Sequence, residues 1–292
     1  MSLKTSAGEK AFNVFNYIFL GVLAFVFLYP IWYVICSSLS SAYAIAAAKV
    51  TLWPVGFNTE AFVRVFNDNR LWQAYGNTIF IVIVGTSINL FMTILGAYAL
   101  SRKELFGRRF FMVLIVFTMY FDGGLIPVYL NVRNLGLYDT IWALLIPNAV
   151  SAYNLIIMRT FFQSISNSLI ESAKIDGAKD YVILIRIVLP ISTAVVAVIA
   201  LFYGVAHWNS WFQALIYIRN RKFYPLQLLL REVVIQSSTN DMLSGVASRD
   251  VQQISETIKY AVIVVATVPI LFVYPFVQKY FVTGIMLGSI KE

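Results

Sequence analysis

Apolar positions in this chain run in long unbroken blocks instead of alternating or recurring along one helix face. Six of them, at about 14–36, 79–100, 110–130, 140–158, 188–206 and 258–277, reach or approach the roughly 20 residues that an α-helix needs to cross a bilayer. Polar segments divide them, and the pattern predicts an all-α, polytopic membrane protein of six transmembrane helices. Taken together the blocks leave no room for a separate soluble domain, so residues 1–292 read as one transmembrane domain.

The connecting segments carry their own signals. Between Ser37 and Gly76, Trp53-Pro54 predicts a turn at the membrane interface. Phe57 to Trp72 predicts a short amphipathic helix with Ala61, Val65 and Trp72 near one face. Asn77-Thr78 are residue types that open helices, and they predict the start of the second span. Asp122-Gly123-Gly124, followed by Pro127, ends the third. The longest outer segment runs from His207 to about Thr257: Trp208 and Trp211 fit an aromatic belt, RKFYPLQLLLREVV reads as a partly apolar surface element, and 236–256 is polar enough to be a surface loop.

Composition agrees with the pattern. The chain is 60% hydrophobic and 12% charged, against about 25% charged residues in an ordinary soluble domain. Its mean hydropathy is +0.76. The formal charge of +8 would suit nucleic acid on a soluble protein, but membrane proteins gather Lys and Arg at cytoplasmic edges for insertion, and no nucleic-acid partner is expected. With the N-terminus inside, segments 1–13, 101–109, 159–187 and 278–292 hold 12 of the 22 basic residues in little sequence. Arg102-Lys103 and Arg108-Arg109 dominate, which predicts both termini and the central polar loop on the cytoplasmic side. The small residues Ala46-Ala47-Ala48 raise the alternative of a removable secretory leader. The apolar run to Ile35 far exceeds the 7–15 residues of a leader core, so a retained first span is expected. The single Cys36 forms no intrachain disulfide.

One polar segment is unusual. In ESAKIDGAKDYVILIRIVLP, residues 171–190, Glu171, Ile175 and Ala178 fall on one helical face, Gly177 marks a bend, and an apolar run follows with Pro190 in its first turns, where a missing N–H costs least. The residues predict a short surface helix, a kink and the entry to a span. Their spacing, Glu171-Ser172-Ala173, then Asp176-Gly177-Ala178, then Ile187-Val188-Leu189-Pro190, resembles the E-A-A loop of binding-protein-dependent ABC importers, with Ser172 for the usual Ala. In that family the loop, about 163–187 here, is a coupling helix seated in a cleft of a cytoplasmic ATPase. The resemblance implies docking by Glu171, close packing by Ala173 and Ala178, and a bend at Gly177. Weaker likenesses to the maltose-type carbohydrate branch lie at Asn77-Thr78, in PVYLNVRNLGLYDTIWALLIP and in the tail QKYFVTGIMLGSIKE.

The family implies a second homologous permease, two copies of the ATPase carrying ATP and Mg, and an extracytoplasmic solute-binding protein. All are mounted with membrane lipid in a bacterial cytoplasmic (inner) membrane. The implied cargo is an oligo- or polysaccharide, acidic ones such as alginate included. The chain itself has no G-x-x-x-x-G-K-[ST] phosphate loop and no His/Cys cluster for a metal, so no cofactor, metal or catalytic residue is expected on it. His207, its one histidine, reads as an interfacial structural residue. An ion- or proton-coupled secondary transporter is the competing class. It places titratable groups deep in its spans, whereas Asp122 and Lys259 here sit at span edges. Polar residues in or beside the spans, Asn89, Asn148, Asn154, Trp208 and Asn209, are candidates to line a pathway, with helix–helix bonding the alternative for those of the fourth span. Arg219, Arg221 and Lys222 are the candidate contact for the binding protein.

Overall fold

The computed structural model describes residues 7–243, 257–272 and 275. Among these the regular elements are all helical. Two compact units emerge: one from the chain up to Asn69 together with Glu232–Val268, the other from Arg70–Arg231 together with the chain from Pro269 onward.

The first unit begins with α1 (Ala7–Ser38), whose apolar side chains are largely uncovered, Phe12, Phe15 and Phe27 each more than 65% exposed. A helix apolar on every side and bare of protein is suited to hydrocarbon. Its C-terminal end is tied down by the segment that follows. Trp32 Nε1 donates to Leu52 O at 2.7 Å, Val55 N donates to Ser40 Oγ at 3.1 Å, and Trp53 meets Trp32 edge-on at 6.3 Å. Cys36, Ala44, Ile45 and Val50 close a small core around α2 (Ala42–Ala46). The amphipathic helix expected over 57–72 is α3 (Glu60–Phe66), with Ala61 and Val65 buried as expected. Trp72 is not on that face: the helix stops at Asn67, a new one restarts the register, and Leu71 and Ala74 are buried while Trp72 is 55% exposed.

That new helix, α4 (Asn69–Ser101), leads the second unit with one buried stripe: Leu71, Ala74, Thr78, Ile81, Gly85, Asn89, Thr93, Ala97. The spacing of three or four keeps these on one face, and their small or polar character lets neighbouring helices approach closely. Asn77 and Thr78 therefore lie inside a helix, not at its start. They cap a different segment. Asn77 Nδ2 donates to the carbonyls of Lys222 and Tyr224 at 2.7 and 3.0 Å, and Leu226 N donates to Thr78 Oγ1 at 2.8 Å.

The expected spans are less regular than their hydropathy. The run 110–130 divides into α5 (Arg108–Tyr120) and α6 (Leu125–Asn134), which meet at 116° across Phe121–Gly124. The run 140–158 divides into α7 (Trp142–Leu145) and α8 (Ala152–Ser164), with Pro147 in the break. After α9 (Asn167–Ile175), α10 (Asp180–Ile191) contains a π turn at Leu184–Val188 and bends by 86° at Ser192 into α11 (Thr193–Trp208). Pro190 explains both irregularities: it has no N–H for the i−4 carbonyl, and its ring crowds that carbonyl. Then come α12 (Phe212–Tyr217), a 3₁₀ turn at Arg221–Phe223, α13 (Leu226–Leu243) and the apolar α14 (Thr257–Phe272). The segment after Lys222 is thus a helix with Leu226 and Leu228 fully buried, more than a surface element, and helix continues through 236–243 where a loop was expected. Among the described residues two helices are long and apolar enough to cross a membrane, or four spans if each bent pair is one. Residues 244–256 and the tail 276–292 lie outside the described residues.

Candidate functional site

The loop at 163–187 is built as a rigid bracket. Helix α9 ends in a three-bond cap: Asp176 N donates to Ser172 O, Gly177 N to Lys174 O at 3.0 Å, and Ala178 N to Ala173 O at 2.9 Å. Gly177 takes φ +79°, the left-handed conformation in which a side chain is strained, so the bend read from its identity is present. Glu171, Ser172 and Asp176 are exposed, and Ile175 is 85% exposed at the tip. Ala173 and Ala178 instead turn inward, half-buried against the core, so Ala178 does not share the open face of Glu171 and Ile175. Ile187 and Leu189 pack on that core too, and Pro190 is exposed. Lys174 Nζ reaches Glu104 at 3.1 Å, bonding the loop to the turn between α4 and α5; this hydrogen bond holds the ammonium above the usual lysine range.

The core beneath the bracket is continuous. Ile170 of α9 belongs to the same packed cluster as Tyr98 of α4, Phe162 of α8, Ile183 and Val188 of α10, and Ile199 and Tyr203 of α11. Tyr203 closes the cluster at its far end. Its hydroxyl accepts from Ser151 N at 3.0 Å and shares a 2.8 Å bond with Thr93 Oγ1.

Tyr203 also lines a cavity of about 540 Å³. Its wall brings together four of the five residues expected beside a pathway, Asn89, Asn148, Asn154 and Asn209, with His207, Ser210 and Gln213. Among the described residues no acidic or basic side chain other than His207 lines it. Asn89 organises the wall. Its Nδ2 donates to the carbonyls of Asn148 and Ala149 at 2.8 and 2.9 Å, satisfying backbone that the break at Pro147 leaves unpaired. That places Asn89 Oδ1 against His207 Nε2 at 2.6 Å, so Nε2 carries the hydrogen. His207 is buried flat against Gly85. Expected as an interfacial structural residue, it lies buried in the cavity wall, bonded to Asn89. Trp208 separates from the group: it lines an apolar cavity of about 630 Å³ on another side of α11, with Thr86 and Gly204. Tyr203, Thr93 and Ser151 carry no signal in sequence, since a lone hydroxyl within an apolar run reads as packing.

The cationic residues Arg219, Arg221 and Lys222 are exposed on a turn held from beneath. Arg219 N and Asn220 N both donate to Asp139 Oδ1 at 2.8 Å, with Asp139 at φ +58°. Asn77 holds the other end of the turn.

Comparison with known proteins gives the class. No protein-family model matches the chain. It is 43% identical over 288 residues to the polygalacturonan/rhamnogalacturonan transport system permease protein YtcP of Bacillus subtilis (strain 168), covering 97% of this chain and 99% of that one. It is 42% identical over 287 residues to protein LplC of the same organism, covering 98% and 97%. A solved bacterial ABC transporter involved in the import of the acidic polysaccharide alginate matches with a TM-score of 0.86 and 37% identity, over 96% of this chain and 100% of that one. The chain belongs to the permease subunits of carbohydrate ABC importers. It is an integral membrane protein of the helical permease fold and is non-catalytic, ATP hydrolysis being carried by separate subunits. This favours the importer over an ion-coupled secondary transporter.

Proposed function

We propose that this subunit forms half of the pathway through which an ABC importer in the bacterial inner membrane takes up oligosaccharides cut from an acidic polysaccharide. The complete complex joins it to one second, homologous permease and two ATPase copies holding ATP and Mg, and a solute-binding protein docks on the outer turn at Arg219–Lys222. The observation that carries the reading is the unbroken packing from Ile170, under the loop at 171–178, to Tyr203 in the cavity wall. Close-packed interiors move as bodies rather than deform. A push from the ATPase on Glu171 and Ile175 therefore reaches the cavity as displacement of α8 and α11, with Gly177 and Pro190 setting the angles. An uncharged, hydrogen-bonding cavity suits sugar hydroxyls. The uronate character of the cargo follows from the two relatives whose substrates are polygalacturonan/rhamnogalacturonan and alginate. The test is to purify the complex with its neighbouring subunits, determine its composition by native mass spectrometry, and measure ATPase stimulation by binding protein loaded with oligogalacturonate or with a neutral oligosaccharide. Expected are one copy of each permease with two ATPases, and a stronger response to the acid. A complex lacking the ATPase, or equal responses, would contradict it.

A further inference from the structure

One polar side chain in the cavity wall is buried with nothing to bond. Asn154 is 6% exposed, and its backbone N–H is taken by Ser151 Oγ at 3.4 Å, but among the described residues its carboxamide has no hydrogen-bond partner. Neither carboxamide atom is closed to solvent, and the open space that the residue lines is the cavity of about 540 Å³. A buried amide in this position costs free energy unless something entering the cavity bonds to it. Two other amides of the wall are half committed. Asn209 Nδ2 donates to Val205 O at 3.0 Å, which leaves Oδ1 to accept; Gln213 Oε1 accepts from Ser210 Oγ at 3.1 Å, which leaves Nε2 to donate. Trp211 and Phe212, both exposed, add aromatic surface to the same wall.

We infer that this cavity is a charge-blind sugar subsite, in which Asn154, Asn209 and Gln213 bond the hydroxyls of the passing sugar and any carboxylate it carries points away from this wall. A hydroxyl both donates and accepts, so it satisfies a wall that offers a free donor and a free acceptor together. A carboxylate only accepts. Here it would meet the Asn209 acceptor and find no lysine or arginine among the lining residues, and a charge taken out of water without a partner is costly. His207 supplies no such partner, since its Nε2 is already bonded to Asn89. A volume of about 540 Å³ is that of a small-ligand site. The inference rests on the sugar-import reading above; it names Asn154 as the residue that binds, and it leaves the preference for an acidic cargo to another component of the complex.

The experiment uses proteoliposomes of the complete complex with saturating binding protein, and two cargoes: trigalacturonate and its methyl ester, the same sugar without charge. Asn154→Leu keeps the size of the side chain and removes its hydrogen bonds. It should lower uptake of both cargoes about tenfold, the factor one hydrogen bond and the group left unpaired supply, with the acid-to-ester ratio unchanged. A second measurement does not depend on how that variant folds. Ala206 lines the cavity and is exposed, so Ala206→Cys reports occupancy by its rate of alkylation, read by mass spectrometry of the labelled peptide. With the complex held by ADP and vanadate, loaded binding protein should slow that alkylation about tenfold relative to sugar-free binding protein, for the acid and the ester alike. Alkylation indifferent to sugar overturns the subsite, as does wild-type uptake by Asn154→Leu. Selective loss of the acid in Asn154→Leu, or protection by the acid alone, overturns its blindness to charge. If wild type imports neither sugar, the import reading itself fails and takes the subsite with it; if it imports both and Ala206→Cys is unprotected, the subsite falls alone.

Discussion

Gly85 offers a sharp test of the packing around Asn89. A Cβ built there would lie 2.6 Å from His207 Nε2, 2.8 Å from Cε1 and 3.0 Å from Cδ2, so the whole imidazole has to move. It cannot move cheaply, being buried and bonded to Asn89 at 2.6 Å. In an open helix position Gly→Ala stabilises by about 1 kcal/mol. Here overpacking costs about 1–3 kcal/mol, and the lost hydrogen bond costs about 1 kcal/mol more. Gly85→Ala should therefore destabilise by about 1–3 kcal/mol. With His207→Ala already present the clash is gone and the helix preference remains, so the same Gly85→Ala should stabilise by about 1 kcal/mol. Equilibrium unfolding of the four variants in mixed micelles with increasing SDS measures both steps. A Gly85→Ala effect of the same sign in both backgrounds would refute the contact.

Other consequences follow from single features. Gly177→Val should abolish uptake with membrane insertion intact, because no atom of the described residues lies within 4 Å of a Cβ there and the strain at φ +79° is conformational; Gly177→Asn, which tolerates that region, should retain transport, both read by fractionation and uptake. Glu171→Lys removes an exposed carboxylate that no core contact needs, so ATPase co-purification should drop while subunit stability holds; a docked charge pair broken on one side loses about 3–5 kcal/mol. The Lys174–Glu104 bond raises the folded-state value of Lys174 above the ordinary 10.5, so its contribution is complete below that value and disappears only as pH rises through the raised one. The lysine's titration then adds no pH dependence between pH 7 and 9, which thermal unfolding of wild type against Lys174→Met checks. Replacing Arg219, Arg221 and Lys222 with Gln together should weaken binding-protein docking for acidic and neutral loads alike, with the turn kept by Asp139 and Asn77.

Hydropathy made the helical membrane fold legible because burial in lipid sums over a run of about 20 residues. It could not see where a run breaks, since Pro147, Gly124 and Pro190 act on single backbone bonds within equally apolar sequence. Asn77-Thr78 show the limit of residue-type rules. Both are good helix-openers, and the pair does supply bonds to orphan backbone groups, but those groups belong to a segment about 145 residues away. The bend at Gly177 was legible from glycine alone. The inward turn of Ala178 was not, because the left-handed residue before it rotates the helical face. Among the pathway candidates Asn89 was found by its polarity, whereas Tyr203 was hidden, and Trp208 was grouped with the cavity only by its neighbours in sequence.

On the proposed mechanism this subunit moves sugar when ATP is spent on the other side of the membrane, and the motion arrives through 171–190. Uptake of labelled oligogalacturonate into proteoliposomes of the complete complex tests it directly, with ATP enclosed or omitted, with and without an imposed proton gradient, for wild type and Gly177→Val. The prediction is uptake only with both ATP and loaded binding protein, indifferent to the gradient, and none with Gly177→Val although ATP is still hydrolysed. Uptake driven by the proton gradient without ATP, or normal ATP-driven uptake by Gly177→Val, would contradict it.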